Sequence, residues 1–213
     1  MRYTSERSWG VLAAPFVYTR GMGIEIRPAT SFADVKTMVG PKRSPEANVC
    51  WCLSYRIPAR ENRELKGPAR GRKVKELIDD GPIGVLAYEG EEVVGWAAVA
   101  PRSRTTFARN RKIPHVDDVP VWSVWCIRVR PGHRGEGISH DLLRGAAEFA
   151  RGQGAPAIEG YPVDNGGEKV DPTMAYAGTR GVFEKAGFTK AADTDSVLDG
   201  FPRILMRLRL DDR

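Results

Sequence analysis

The chain predicts a mixed α/β domain: one largely antiparallel sheet with a single parallel strand pair at its centre, flanked by helices. Three observations carry this prediction. Apolar residues alternate with polar ones near both ends of the chain, the period of a strand. Two strand patterns over residues 83–88 and 93–100 flank a short acidic turn, the mark of a hairpin. In the middle, a strand pattern over 121–129, an amphipathic helix pattern and a second strand pattern over 157–163 follow one another. Such a strand–helix–strand unit closes as a parallel pair.

Taken in order, Ile24-Glu25-Ile26-Arg27 alternates and stops at Pro28, which reads as a strand. Thr30 or Ser31 can cap a short helix to Val39, with Phe32, Val35, Met38 and Val39 at helical spacing. Residues 40–67 are irregular and hold Cys50-Trp51-Cys52. Residues 68–80 form a basic amphipathic helix pattern around Val74, Leu77 and Ile78, ended by Gly81-Pro82. Glu89-Gly90-Glu91-Glu92 is the hairpin turn. Residues 101–120 read as a loop carrying Arg102, Arg104, Arg109, Arg111 and Lys112. The strand over 121–129 is mostly apolar and so predicted to be buried on both faces. Ile138, Leu142, Ala146, Phe149 and Ala150 make one face of a helix stopped by Gly152-Gln153-Gly154. A polar loop with Gly166-Gly167, a short helix ending at Gly187, and strands over 188–192 and 203–210 complete the chain.

At 213 residues this is a single domain over 22–213, preceded by a segment, residues 1–21, that stands apart. Its apolar stretch is short, broken by Pro15 and preceded by Arg2, Glu6 and Arg7, which does not suit a secretory signal. It reads as a flexible arm, or else translation starts at Met22. The 33 basic and 27 acidic residues leave +6, which suits an anionic ligand. The excess is too diffuse, and too poor in interleaved aromatics, to argue for a nucleic-acid partner. No apolar run approaches the ~20 residues of a membrane span, so no membrane partner is expected. Three cysteines, two of them one residue apart, make a poor disulfide framework and fit a reducing cytoplasm.

Chemistry concentrates at Val129-Arg130-Pro131-Gly132-His133-Arg134-Gly135-Glu136-Gly137-Ile138-Ser139. A strand ends there in a turn with three glycines and a helix begins at once. Such a junction leaves backbone N–H groups unpaired at the positive end of a helix dipole, a cradle for phosphate oxygens. A nucleotide triphosphatase loop would need Gly-Lys followed by Ser or Thr, which is absent. A dinucleotide turn would need a third glycine where His140 stands.

Arg134-Gly135-Glu136-Gly137-Ile138-Ser139 instead resembles the pyrophosphate-binding motif of the GNAT superfamily, the GCN5-related N-acetyltransferases, summarised as Arg/Gln-x-x-Gly-x-Gly/Ala. Val129 and Pro131 before it and Leu142-Leu143 after it sit where that family's pattern has them. Val182-Phe183-Glu184-Lys185-Ala186-Gly187-Phe188 is similar to the family's Leu-Tyr-Glu-Lys-Leu-Gly-Phe segment, and Ile26-Arg27-Pro28-Ala29-Thr30 to its first strand. The resemblance implies a GNAT fold, with the central parallel strands splayed apart, and acetyl-CoA as donor to a primary amine. It implies that Arg134, Gly135, Glu136, Gly137, Ile138 and Ser139 hold the diphosphate. Ile127, Arg128 and Val129 would offer backbone groups to the pantetheine arm and a donor to the acyl oxygen, with Phe183 also against the cofactor. A homodimer is a further possibility that the family suggests.

The chain departs from the family at the acid. The tyrosine that protonates the thiolate in many members aligns with Phe183, and the asparagine six positions earlier with Ala177. Two routes remain open: the thiolate leaves without a protein acid, or Tyr176 substitutes. Glu159 and Tyr161 share a strand face at the mouth of the expected splay, so Glu159 is the candidate base and Tyr161 a substrate contact. The competing readings are an ion-paired Glu159 and tyrosines that merely edge the core. No metal is expected: Cys50-Trp51-Cys52 lacks zinc spacing, and His115, His133 and His140 complete no ligand set. Cys126 reads as a buried thiol on the central strand, and the basic loop as a solvated surface. The alternative to an enzyme is a non-catalytic acyl-CoA-binding module.

Overall fold

The strands, in chain order, are β1 (Tyr18–Arg20), β2 (Ile24–Pro28), β3 (Gly84–Glu89), β4 (Glu92–Pro101), β5 (Trp122–Val129), β6 (Ala157–Gly160), β7 (Thr189–Leu198) and β8 (Phe201–Arg209). They join into one sheet ordered β1-β2-β3-β4-β5-β6-β8-β7. The computed structural model describes residues 17–20, 23–171 and 175–211. Among the described residues, neighbouring strands run antiparallel except for the parallel pair β5–β6. The expected fold class therefore holds. Most of the N-terminal segment, and the alternative start Met22 after it, lie outside the described residues. Tyr18–Arg20, at its end, pairs with β2.

Helices cover both faces. On one side α4 (Ile138–Gly152) lays the expected stripe, Ile138, Leu142, Ala146, Phe149 and Ala150, against β2 to β5, and every residue of that stripe is buried. Trp122 meets Phe149 edge to face there, with ring centroids 5.7 Å apart. The short α5 (Arg180–Lys185) packs beside α4. On the other side lie α1 (Phe32–Val39) and α3 (Pro68–Asp79), with Val35, Val74, Trp96 and Trp125 in a second apolar cluster. Of the two candidate caps of α1, Ser31 serves: its hydroxyl accepts from the Asp34 amide at 3.3 Å.

Three elements differ from the sequence expectation. A helical stretch, α2 (Ala59–Glu64), lies inside the segment expected to be irregular. None of its residues is buried, so it has no apolar stripe to announce it. Strand β6 stops at Gly160 instead of reaching residue 163: Pro162 has no N–H to give a ladder, and Val163 makes only isolated bridges to Thr179 and Arg203. Strand β7 runs to Leu198, beyond residue 192. As an edge strand wetted on both faces it carries no apolar alternation in Asp193-Thr194-Asp195-Ser196.

Candidate active site

The two parallel strands part. They pair only at Trp122↔Ile158, Ser123↔Glu159 and Val124↔Gly160. Beyond that point β5 continues to Val129 held by β4 alone. Two local features open the gap. The β4–β5 register slips between Ala98 and Val99, opposite the Val124 to Cys126 stretch, a bulge that bends the strand. The Phe183 ring, fully buried, is wedged against Gly160 and Gly178: a Cβ on Gly160 would lie 2.1 Å from the ring. Phe188 meets it edge to face at 5.1 Å. The Arg130 N–H donates to Val94 on β4. Strand alternation therefore turns the N–H groups of Ile127 and Val129 to the opposite edge, into the gap.

At the end of β5 the chain turns through Gly132, Gly135 and Gly137 at φ 99°, 88° and 86°, a left-handed region that costs other residues free energy. Gly137 is the N-cap of α4 and supplies no side-chain cap. Among the described residues, the amides of 135–139 donate to no backbone carbonyl or side chain. Arg134 and Glu136 are exposed around them, while Ile138 is buried and anchors the helix start. His133 Nδ1 lies 3.3 Å from Glu89 and 3.8 Å from Glu136, tying the turn to the β3–β4 hairpin. Several unpaired amides at the start of a 15-residue helix, under an exposed guanidinium, fit a diphosphate.

On the α1/α3 face, next to the parted half of β5, lies a cavity of ≈ 340 Å³. Cys52, Tyr55, Trp125, Cys126, Arg128 and Tyr176 line it. Cys52 is brought there by a backbone kink in which Trp51 and Cys52 adopt φ of 52° and 55°. Its Sγ lies 2.9 Å from that of Cys126. The hydrogen bond from Cys52 and the nearby Arg128 hold the Cys126 thiol below the ordinary cysteine range, and the same contact together with burial pushes Cys52 up. Burial, and then the neighbouring Tyr55, raise the Tyr176 phenol above the usual tyrosine range, with Arg203 partly opposing them. Tyr176 is thus a protonated donor at neutral pH.

The residues expected to do proton chemistry are divided between two places. Tyr176 stands at the parted strands. Glu159 lies opposite Ser123, in the part of β6 still paired with β5, and borders a separate cavity of ≈ 430 Å³. It is fully buried. One oxygen accepts from Arg102 at 2.8 Å, and the other from Arg207 at 2.6 and 3.0 Å. Arg207 is in turn paired with Asp117. Arg102, expected on a solvated loop, is buried and also donates to the carbonyls of Ile113 and Pro114. The other basic residues of that loop, Arg104, Arg109, Arg111 and Lys112, are exposed. Tyr161 is fully buried; its hydroxyl lies 2.8 Å from Ser123 Oγ and donates to Glu159 at 3.3 Å, while its ring packs on Phe107 at 4.4 Å. Sequence reasoning missed Tyr55 and Arg203, which reach this region from an irregular segment and from β8, and no local pattern marked them.

A sheet whose central parallel pair parts beside an amide-lined turn is the architecture of an acyl-CoA transferase. The chain belongs to the acetyltransferase (GNAT) family, whose family model matches residues 51–167. None of the curated proteins compared matches it. Among solved structures it is similar to yncA, a putative acetyltransferase from Salmonella typhimurium determined with its cofactor acetyl-CoA, at 17% identity and TM-score 0.51, over 90% of this chain and 96% of that one. It is also similar to the ribosomal-protein-S5-alanine acetyltransferase of Vibrio fischeri at 13% identity and TM-score 0.51, over 92% and 98%. A third likeness is to a putative arylalkylamine N-acetyltransferase 7 from the yellow fever mosquito Aedes aegypti, at 14% identity and TM-score 0.53, over 88% of each chain. At these identities the likeness is one of fold. Among the described residues no three His, Cys, Asp or Glu side chains are grouped to hold a metal ion, and no helix is long and apolar enough to cross a membrane.

Proposed function

We propose that the protein transfers the acetyl group of acetyl-CoA to a primary amine by direct attack. The observation that carries this reading is the continuity between unpaired amides at 135–139 and the N–H groups of Ile127 and Val129 along the parted edge of β5. In this reading Arg134 and the amides of Gly135 to Ser139 hold the diphosphate, and β5 hydrogen-bonds the pantetheine arm. An N–H of Ile127 or Val129 stabilises negative charge on the acyl oxygen. Phe183 contributes by keeping the strands apart rather than by proton transfer. The amine enters from the cavity of Cys126 and Tyr176 on the other side of the same edge.

Tyr176, which lines the cavity beside the parted strands, donates the proton to the departing thiolate. Among the described residues no Asp, Glu or His lines the acceptor cavity, and both oxygens of Glu159 are taken by arginines. The amine therefore loses its proton to water, and Glu159 acts by holding the 102–117 segment against β6. Two measurements test the reading: calorimetric titration with CoA, and CoA release from acetyl-CoA in the presence of amines. Tyr176→Phe is expected to lower kcat by roughly 10²-fold with CoA affinity retained, and an unchanged kcat removes Tyr176 from the mechanism. Phe183 in the place of an acid supports the second reading, a non-catalytic acyl-CoA-binding module. Tight CoA binding without turnover on any amine would establish it.

A further inference from the structure

We infer that the acceptor amine belongs to a molecule that also carries a carboxylate, as an amino acid does, and that Arg128 receives that carboxylate. The inference rests on the transferase reading above and extends it to the substrate class. The cavity of ≈ 340 Å³ is at the size of small-molecule sites. Its walls are mostly aromatic and thiol, from Tyr55, Trp125, Tyr176, Cys52 and Cys126, and among the described residues the one charged side chain lining it is that of Arg128.

The charge around this cavity is one-sided. Arg128 forms no salt bridge among the described residues, and its polar neighbour is the Cys126 thiol. Behind Tyr55 and Tyr176 sits Arg203, 3% exposed. Its Nε donates to the Tyr161 carbonyl at 2.7 Å and its Nη1 to the Tyr55 hydroxyl at 3.5 Å, whereas Nη2 has no partner. Arg56 stacks on the Trp125 ring, its Cζ 4.8 Å from the centroid, and donates to backbone carbonyls of Ile83 and Val99. Arg128 thus lines the cavity, Arg203 and Arg56 stand behind its walls at Tyr55 and Trp125, and no carboxylate is among its described lining residues. Of the three, Arg203 is buried, with Nη2 unpaired, which is costly without a counter-charge, while Arg128 is exposed and open to an arriving anion.

Such a field repels a polyamine or any other acceptor with a second cationic group, and it favours an anion. An amine that brings its own carboxylate meets both needs: its anion pairs with Arg128, in the bidentate geometry that guanidinium allows. The amino group then remains free to face the parted edge of β5. The aromatic walls receive the rest of the molecule. The region that binds the cofactor diphosphate lies beyond β5, on residues 134–139, so the two anion sites are separate.

The test uses the full-length protein and amines in pairs that differ only in a carboxylate: L-tyrosine with tyramine, and L-methionine with 3-(methylthio)propylamine. CoA release is followed for turnover, and equilibrium dialysis against the CoA-loaded protein for binding. At least one carboxylate-bearing member is expected to exceed its partner by roughly ten- to hundredfold in kcat/KM or affinity, the range of a charge-assisted contact. In Arg128→Gln that ratio should fall toward unity, and Arg128→Lys should restore part of it. A preference for the amines without carboxylate, equal use of both members, or failure of every carboxylate-bearing amine to bind would overturn the inference. Loss of CoA binding by the parent protein instead counts against the transferase reading, while dialysis of the same pairs against the protein without CoA still decides the acceptor class.

Discussion

Replacing Glu159 with Gln separates a structural carboxylate from a catalytic one. The side chain of Glu159 is 0% exposed, that of Arg102 5% and that of Arg207 11%, so the ionic triad is largely removed from solvent. Glutamine keeps one acceptor oxygen but turns an NH2 group toward a guanidinium and removes the charge that both arginines face. Breaking a buried pair from one side costs about 3–5 kcal/mol. Arg207 retains Asp117 and Arg102 retains two backbone carbonyls, so the lower end, about 3 kcal/mol, is expected. For a chain of this size that is a fall in Tm of roughly 6–12 °C. Thermal and urea unfolding followed by circular dichroism measure it. The accompanying expectation is a pH profile of kcat with the same limbs as the parent at a temperature where both are folded. A stability loss under about 1 kcal/mol, together with a vanished limb in that profile, would refute the positioning role and return Glu159 to the chemistry.

Three further predictions follow the same geometry. Gly160→Ala puts a methyl within 2.1 Å of the Phe183 ring and should destabilise by about 1–3 kcal/mol; the loss should shrink in a Phe183→Leu background, and equal losses in both backgrounds would mean that the ring is not what the methyl meets. Gly137→Ala forces a side chain into φ 86° at a cost of about 1–2 kcal/mol; the free turn is expected to relax away from that conformation and must regain it on binding, so calorimetry should show CoA affinity lower by up to roughly tenfold, and unaltered affinity would count against the amide cradle. His140 has its pKa depressed, first by burial and then by Lys185. The unfolded chain therefore binds the proton more readily, and the neutral ring stabilises fully above about pH 6.5. That contribution is lost as pH falls from there through the lower folded value. The slope of unfolding free energy against pH in this window should flatten in His140→Gln, and an identical slope would exclude the residue.

The sequence by itself determined the elements that depend on local pattern. The alternation of β2, β3 and β4, the apolar stripe of α4 and the three glycines after Val129 each follow from near neighbours in the chain, and with them came the sheet's central parallel pair and the family. Local pattern also located the amide-bearing turn, because a strand running straight into a helix through glycines has few ways to arrange its N–H groups. Only the tertiary structure decided what surrounds the acceptor. Cys52 and Cys126 are 74 residues apart in the chain and 2.9 Å apart in space. Arg203 and Tyr55 are separated by 148 residues, and Arg102 finds Glu159 from 57 residues away. No period of two or 3.6 residues encodes such meetings, and charge counts treat a buried arginine like an exposed one. The ends of β6 and β7 were hidden for a related reason: one is cut by what Pro162 cannot donate, and the other is an edge strand with no single face to bury.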